Sequence, residues 1–519
     1  MRSKYVRLSA VALALLAVAL PSAGRLWAQE DQASTTTPIK HVVVIFQENI
    51  SFDHYFGTYP HATPNADGSV YFGRAKEGTP TVNNLESAGL LTNNPNGVNP
   101  FRMDRAFPNT CDQDHVYGDE QFVFHGGLMD GFTGTKPNST VLYSCNDAHY
   151  GKFSVMGYFD GNTVTALWNY AQNFAMSDNH YGTSFGPSTP GLLNLLSGNT
   201  YGATLEKNSA AGNISGSASF GTVIGDPDPF GDMCSAPTRG QIQMTVGQSV
   251  GDLLNTAGVT WGSFMGGFNS CTHVTTGLTG LTTGDYIPHH AFTQYWASTL
   301  NANHLPPTSN SMIGKSDGVS FHEYDLPLFF AALSQHHLPA VSILKAPAYQ
   351  DGHAGYSDPL DEQFFLVNTI NTLMKSPEWK NTAVLITWDD SDGWYDHVMG
   401  PIINQSNAPE DQLLGPKNCG TPKPVDPQGD IQNARCGYGP RMPFLVISPW
   451  ARKNFVDHSV IDQSSILRFI EDNWKLGRIG TGSTDAVAGS LLGMFDFDEE
   501  SGAGSKLILD PITGKVVPD

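Results

Sequence analysis

The chain has 519 residues, a formal net charge of −21, 40% hydrophobic residues and only 15% charged ones. That length exceeds one average domain but suits one large α/β sheet with long insertions, and 54 Gly with 33 Pro indicate ordered loops in place of long surface helices. So acidic a surface repels nucleic acid and anionic lipid head groups unless a metal or a local basic patch intervenes, so no nucleic-acid partner is expected.

Arg2, Lys4 and Arg7 precede the apolar run Leu8 to Leu20, and small residues lead to a cleavage point after Ala28. This is the pattern of a secretory signal over residues 1–28, with an apolar run shorter than the ~20 residues of a spanning helix. Its removal takes away four basic residues and moves the net charge from −21 to −25. The expectation is a secreted or periplasmic protein with no stable membrane anchor. Residues 29–39 read as a flexible lead-in, and 40–519 as one domain. Six cysteines in an exported chain suggest disulfides, and their spacing pairs neighbours: Cys111 with Cys145, Cys234 with Cys271, and Cys419 with Cys436.

His41 to Phe46 is a first buried strand, ending at Gln47, Glu48 and Asn49. Ser51 to Gly57 opens a short helix or turn capped by Ser51, and residues 60–110 form an excursion rich in Asn, Pro and Gly. His115 precedes a helix; a lone histidine is more often structural than functional, so it is only a candidate. Leu167 to Phe174 has helical spacing, and Ala175 to Asp178 reads as a strand end. Phe185 to Leu192, FGPSTPGL, has the form of a strand-to-helix elbow with Ser188 at the N-cap and Pro190 in the first turn. A helix start favours an alkoxide or a phosphate oxygen, but an ordinary serine cap explains the same residues.

Residues 199–285 are rich in Gly, Ser and Thr and read as a lid-like insertion over the active-site face. His289 and His290 follow; as neighbours on an extended chain they point to opposite sides, which would bring one of them into a site. Leu338 to Leu344 is another apolar strand, ending at Lys345 and the loop Asp351-Gly-His353. A helix from about Asp361 to Met374 then leads to the strand Ala383 to Trp388, a βαβ unit. Asp389, Asp390, Asp392 and Asp396 follow that strand. Ligands in open α/β sheets bind beyond strand C-termini, and adjacent carboxylates there call for a cation, although Ser391-Asp392-Gly393 also makes a good solvated turn. Pro443 to Ser448 is a further strand, and Asp462 begins a helix.

Glu48, Asn49, Ser188, Asp389 and Asp390 all offer oxygen at strand or helix ends. Oxygen ligands select one hard divalent cation, Ca²⁺, Mg²⁺ or Mn²⁺, which would lower the hydroxyl pKa of Ser188 and make it a nucleophile. His115, His289, His290 and His353 are candidates to contact a phosphoryl group or act as acid and base.

The pieces HVVVIFQENISFDHYFG, FGPSTP, DYIPHH, TAVLITWDDSDGWYDH and PRMPFLVISPWAR resemble the bacterial phosphoesterase family of phospholipases C and acid phosphatases, in the alkaline-phosphatase-like superfamily. The resemblance implies an α/β three-layer sandwich, a mostly parallel central sheet with helices on both faces and a loop-rich insertion over the active site. It also implies metal-site roles for Glu48, Asn49, Ser188, Asp389 and Asp390, with Ser188 the nucleophile, and phosphoryl contacts for the four histidines. Phospholipase members continue the nucleophile motif as S/T-x-P-N-R, whereas Gly191 and Leu192 follow Pro190 here; the missing arginine also argues against a sulfatase. The expected activity is metal-dependent hydrolysis of a small phosphate ester or phospholipid head group through a phosphoserine. The acidic surface and the lack of a β-domain after the last helix favour monoesters. Phospholipid diesters are the alternative, and a non-catalytic binding protein on a phosphatase scaffold is a second.

Overall fold

In a computed structural model of the chain, described over residues 34–518 except 210, 217–219, 422–431 and 499–505, the apolar runs become the middle of an eight-stranded sheet. Its strands are His41–Gln47 (β1), Ala175–Ser177 (β2), Trp261–Met265 (β3), Glu323–Asp325 (β4), Val341–Lys345 (β5), Thr382–Trp388 (β6), Phe444–Ile447 (β7) and Phe455–Asp457 (β8). The spatial order is β4-β3-β5-β1-β6-β7-β2-β8. Only β7 runs antiparallel to its neighbours. Strands β1, β5 and β6 are buried along their whole length. Parallel strands covered on both faces need such continuous apolar runs, which is why periodicity of two is absent from them.

Eight α-helices accompany the sheet in the described residues: Phe52–Phe56 (α1), Tyr117–Phe124 (α2), Thr165–Asn173 (α3), Ser188–Ser197 (α4), Val250–Ala257 (α5), Pro327–Ser334 (α6), Pro359–Lys375 (α7) and Gln463–Trp474 (α8). Helix α4 packs against α8 and α5, and α3 packs against α7, giving a three-layer α/β architecture with helices on both faces. Asp462 caps α8 as expected, its side chain accepting from Ser464 N at 3.2 Å. Helix α7 begins at Pro359 because Asp358 caps it, accepting from Leu360 N at 2.8 Å.

Four sequence expectations change. Residues 199–285 are not one insertion: Tyr201–Lys207, Ile214–Gly216, Gly221–Val223, Asp228–Pro229 and Gln241–Met244 form a separate five-stranded sheet, but α5 and β3 belong to the main body. The Gly, Ser and Thr content of the stretch hid Trp261-Gly-Ser-Phe-Met265, which pairs in parallel with β4 and β5. The lead-in is not loose where it is described, since Thr36 N donates to Asn473 O at 2.9 Å and Thr37 Oγ1 to Asn473 Oδ1 at 2.7 Å. Ser51 does not cap α1; its Oγ donates to Tyr395 O. Ser188 is the first residue of α4, with Pro187 at the cap position. The signal at residues 1–28 lies outside the described residues.

The three disulfides pair as the spacing indicated. No helix of the described residues is long and apolar enough to cross a membrane.

Candidate active site

The three adjacent central strands β5, β1 and β6 end together. Register pairs Gln47 with Trp388, so the next residues, Glu48 and Asp389, emerge side by side, and Asp389 N donates to Gln47 O at 3.2 Å. Asn49 then takes the left-handed conformation, φ 61°, which asparagine tolerates better than most residues. That turn is fixed by Asn49 N donating to Asp389 Oδ1 at 3.0 Å and Ile50 N to Asp390 O at 3.0 Å. Helix α4 brings Ser188 from the other direction. Gly191 makes this approach possible: a Cβ there would lie 2.3 Å from Asp389 O, so the first turn of α4 closes directly onto the end of β6. The departure from the S/T-x-P-N-R pattern therefore has a packing counterpart.

Glu48, Asn49, Ser188, Asp389 and Asp390 converge, each at most 2% exposed. Ser188 Oγ donates to Glu48 Oε2 at 3.0 Å and lies 3.3 Å from Asp390 Oδ2 and 3.4 Å from Asn49 Oδ1. The Asn49 carboxamide oxygen lies 2.6 Å from Glu48 Oε2, 3.0 Å from Asp389 Oδ1 and 3.2 Å from Asp390 Oδ2; turned over, its nitrogen would donate to all three and its oxygen accept from His353 Nε2 at 3.0 Å. With the oxygen inward, Asn49 Oδ1 sets an acceptor 2.6–3.2 Å from three carboxylate oxygens, of which Asp389 Oδ1 also accepts from Asn49 N and Asp390 N and Glu48 Oε2 accepts from the Ser188 hydroxyl. Acceptors set this close together in a buried site are expensive, and a hard divalent cation is a partner that satisfies such a set, so these residues fit the ion implied by the sequence.

The acidities show the same strain. Burial, then the charge of Asp389, pushes Glu48 well above the usual carboxylate range against the pull of Lys345. Burial and Asp389 likewise raise Asp390, opposed by His115. Asp389 stays low although burial opposes it, because Lys345 and hydrogen bonds from Asn49 N and Asp390 N hold its charge.

All four candidate histidines line one cavity of about 750 Å³ together with Ser188. His115 Nε2 is 3.5 Å from Asn49 Nδ2, and its Nδ1 is 3.3 Å from Asp392 Oδ1. Burial draws its pKa down, but the charges of Asp390, Asp392 and Asp112 outweigh burial and hold it well above the usual histidine range. His353 is the opposite case, lowered to about 4 chiefly by burial, with Nδ1 fixed on Ala354 O at 2.5 Å. His290 Nδ1 is 3.1 Å from Glu48 Oε1, and burial with the neighbouring His289 and Lys345 keeps it neutral-leaning, well below the usual value. His289 and His290 do not split to opposite sides, because Pro288–His290 is a 3-10 turn and not a strand. His289 Nδ1 lies 3.8 Å from Asp228 Oδ1 and takes no closer part in the oxygen cluster.

Sequence reasoning gave no role to Lys345, Asp351, Asp226 or Arg239. Lys345 and Asp351 are wholly buried beside Glu48, while Asp226 and Arg239, just before the strands Asp228–Pro229 and Gln241–Met244, line the cavity. A lysine closing an otherwise apolar strand was the available signal for Lys345. Asp396, grouped by sequence with the other aspartates, is drawn elsewhere: with Asp53 and His397 it surrounds the fully buried Arg441, whose Nε donates to Asp396 Oδ1 at 3.1 Å. This ion-pair knot accounts for Asp53 in the first motif and for Asp396-His397 in the second. A separate cavity of about 500 Å³, lined by Lys40, His41 and His337 at the opposite end of β1, contains none of the predicted site residues.

The strand-end oxygen cluster and the helix-borne serine both lie inside the stretch that a family model matches. The phosphoesterase family model aligns with residues 39–477, and the chain belongs to that family. It is 25% identical over 466 residues to a non-hemolytic phospholipase C of Pseudomonas aeruginosa, covering 88% of this chain and 57% of the relative. A phospholipase C B of Mycobacterium tuberculosis is 23% identical over 472 residues, covering 89% of this chain and 78% of the relative. The chain thus spans under two-thirds of the length of the Pseudomonas protein. Among solved structures, a protein in the alkaline phosphatase superfamily from Vibrio parahaemolyticus aligns with a TM-score of 0.31 and 12% identity, over 87% of this chain and 72% of that one.

Proposed function

We propose that this chain is an exported, divalent-metal-dependent phosphate-ester hydrolase that acts through a phosphoserine at Ser188, with phosphomonoesters as first substrates. The observation that carries this reading is the placement of the Ser188 hydroxyl, 3.0 Å from Glu48 Oε2 and within 3.4 Å of Asn49 and Asp390, where it caps nothing. Glu48, Asn49, Asp389 and Asp390 would hold the ion, which when bound would acidify the serine hydroxyl and offset charge on a phosphoryl group. Ser188 Oγ attacks phosphorus, its proton directed at Glu48 Oε2, and the ester P–O bond breaks to release the alcohol. Water then cleaves the Ser188 phosphoester and restores the hydroxyl. The N-terminus of α4 and the cationic His115 face the phosphoryl oxygens as positive groups. Neutral His290 and His353 flank the same space, where either can pass a proton to a leaving oxygen or from water.

Export is supported by the signal pattern and by three disulfides, which persist in oxidising compartments. The phospholipase C names of the relatives support a second reading, hydrolysis of phospholipid diesters. Turnover of p-nitrophenyl phosphate and p-nitrophenylphosphorylcholine, each with and without chelator, tests both. Faster metal-dependent release from the monoester is expected. Faster release from the phosphorylcholine ester selects the diester reading, and hydrolysis of neither with Ca²⁺, Mg²⁺ or Mn²⁺ removes both.

A further inference from the structure

Lys345 closes β5 with no exposed side-chain surface and is not among the residues lining the cavity. Its Nζ ion-pairs with Glu48 Oε1 and lies 3.5 Å from Asp389 Oδ2 and 3.4 Å from Gln47 O. Two carboxylates thereby divide their oxygens between front and back. Glu48 gives Oε2 to Ser188, and Asp389 gives Oδ1 to Asn49 N, whereas Oε1 and Oδ2 turn to the lysine. Beside the lysine, Glu48, Asp351 and the cavity-lining His290 each offer a ligand atom within 4.8 Å of the others. That group has the donors of a second metal site, and an ammonium already sits on its Glu48 carboxylate.

We propose that Lys345 is a built-in cation standing in place of a second divalent ion, so that the site holds a single ion, Glu48 keeps Oε2 on Ser188 and Asp389 keeps Oδ1 on Asn49 N. The proposal rests on the metal-dependent reading above. Occupancy decides it: among the buried carboxylates Glu48, Asp351 and Asp389, the ammonium already takes Glu48 Oε1, the oxygen a second ion would need, and lies 3.5 Å from Asp389 Oδ2. A second ion beside the ammonium would instead set two like charges against each other around Glu48 Oε1, in a region of weak screening. Because it is sealed from the cavity, Lys345 acts as a positioning residue and cannot touch substrate.

The test counts bound metal and needs no turnover. Purified protein is loaded with Mn²⁺, freed of excess ion and measured by elemental mass spectrometry, with titration calorimetry as a second readout. Wild type should bind one equivalent, Lys345→Arg one, and Lys345→Ala two, the second held by the Glu48, His290, Asp351 and Asp389 oxygens and nitrogen thus uncovered. Lys345→Met keeps the unbranched stem without its charge and replaces the alanine variant, with the same expectation, should that one not fold. Two equivalents in the wild type, or one in a folded alanine or methionine variant, overturn the proposal while leaving metal dependence intact. No ion bound by any form removes the metal-dependent reading and this inference with it.

Discussion

Replacing Ser188 by alanine separates a nucleophile from a structural hydroxyl, because the structure assigns the hydroxyl little structural work. The Ser188 side chain does not cap α4, so the ~1 kcal/mol typical of a lost cap is not at stake. What is lost is one hydrogen bond to a carboxylate at 3.0 Å, worth roughly 1.5–3 kcal/mol, and Glu48 keeps Lys345 and His290 on its other oxygen. At ~2.1 cal/mol/K of unfolding entropy per residue, a chain of this size then loses only about 1.5–3 °C in Tm. Deleting an attacking atom removes covalent catalysis altogether, and a loss of ~10³ or more in kcat corresponds to at least ~4 kcal/mol of transition-state stabilisation. The assay is kcat on p-nitrophenyl phosphate beside Tm by calorimetry, with Ser188→Thr expected to retain part of the activity. Near-normal turnover in a folded alanine variant would refute the assignment.

Asp389→Asn and Asp390→Asn should each raise the metal concentration needed for half-maximal activity at least tenfold, or ~1.4 kcal/mol, and full activity in chelator would contradict this. Arg441→Ala should destabilise by roughly 3–5 kcal/mol, since it strands the buried charges of Asp53 and Asp396; an unchanged Tm would show that the knot is not structural. Burial pushes the carboxyl of Glu362 up to about 8 and that of Glu323 up to about 7. Their folded values lie above the unfolded ~4.3, so the unfolded chain gives up these protons first, and the stabilisation present at low pH is lost as pH rises through 7 to 8. Tm should therefore fall between pH 5 and pH 8.5, whereas a rising Tm across that interval would contradict the assignment.

The central strands were legible because parallel, doubly covered strands must be continuous apolar runs, and β1, β5 and β6 are bounded by polar residues at their C-terminal ends. The oxygen cluster was legible for the same reason: its members stand immediately after those runs. Strand β3 escaped because Gly262 and Ser263 dilute its apolar pattern, Gly262 lying where a Cβ would meet Tyr324 at 2.7 Å. Asp396 looked like Asp389 in sequence but pairs with Arg441, 45 residues away, and spacing carries no information about such a partner. Asp351 is similarly silent, and Lys345 signals itself only as a lysine closing an apolar strand, since what it touches comes from the meeting of β5 with β1 and β6.

Stereochemistry at phosphorus tests the central claim most directly. A phosphomonoester made chiral with oxygen isotopes would be hydrolysed by the metal-loaded protein and the configuration of the inorganic phosphate determined. Attack by Ser188 followed by attack of water inverts phosphorus twice, so net retention is predicted. Net inversion would mean that water attacks the substrate directly and that Ser188 carries no phosphoryl group.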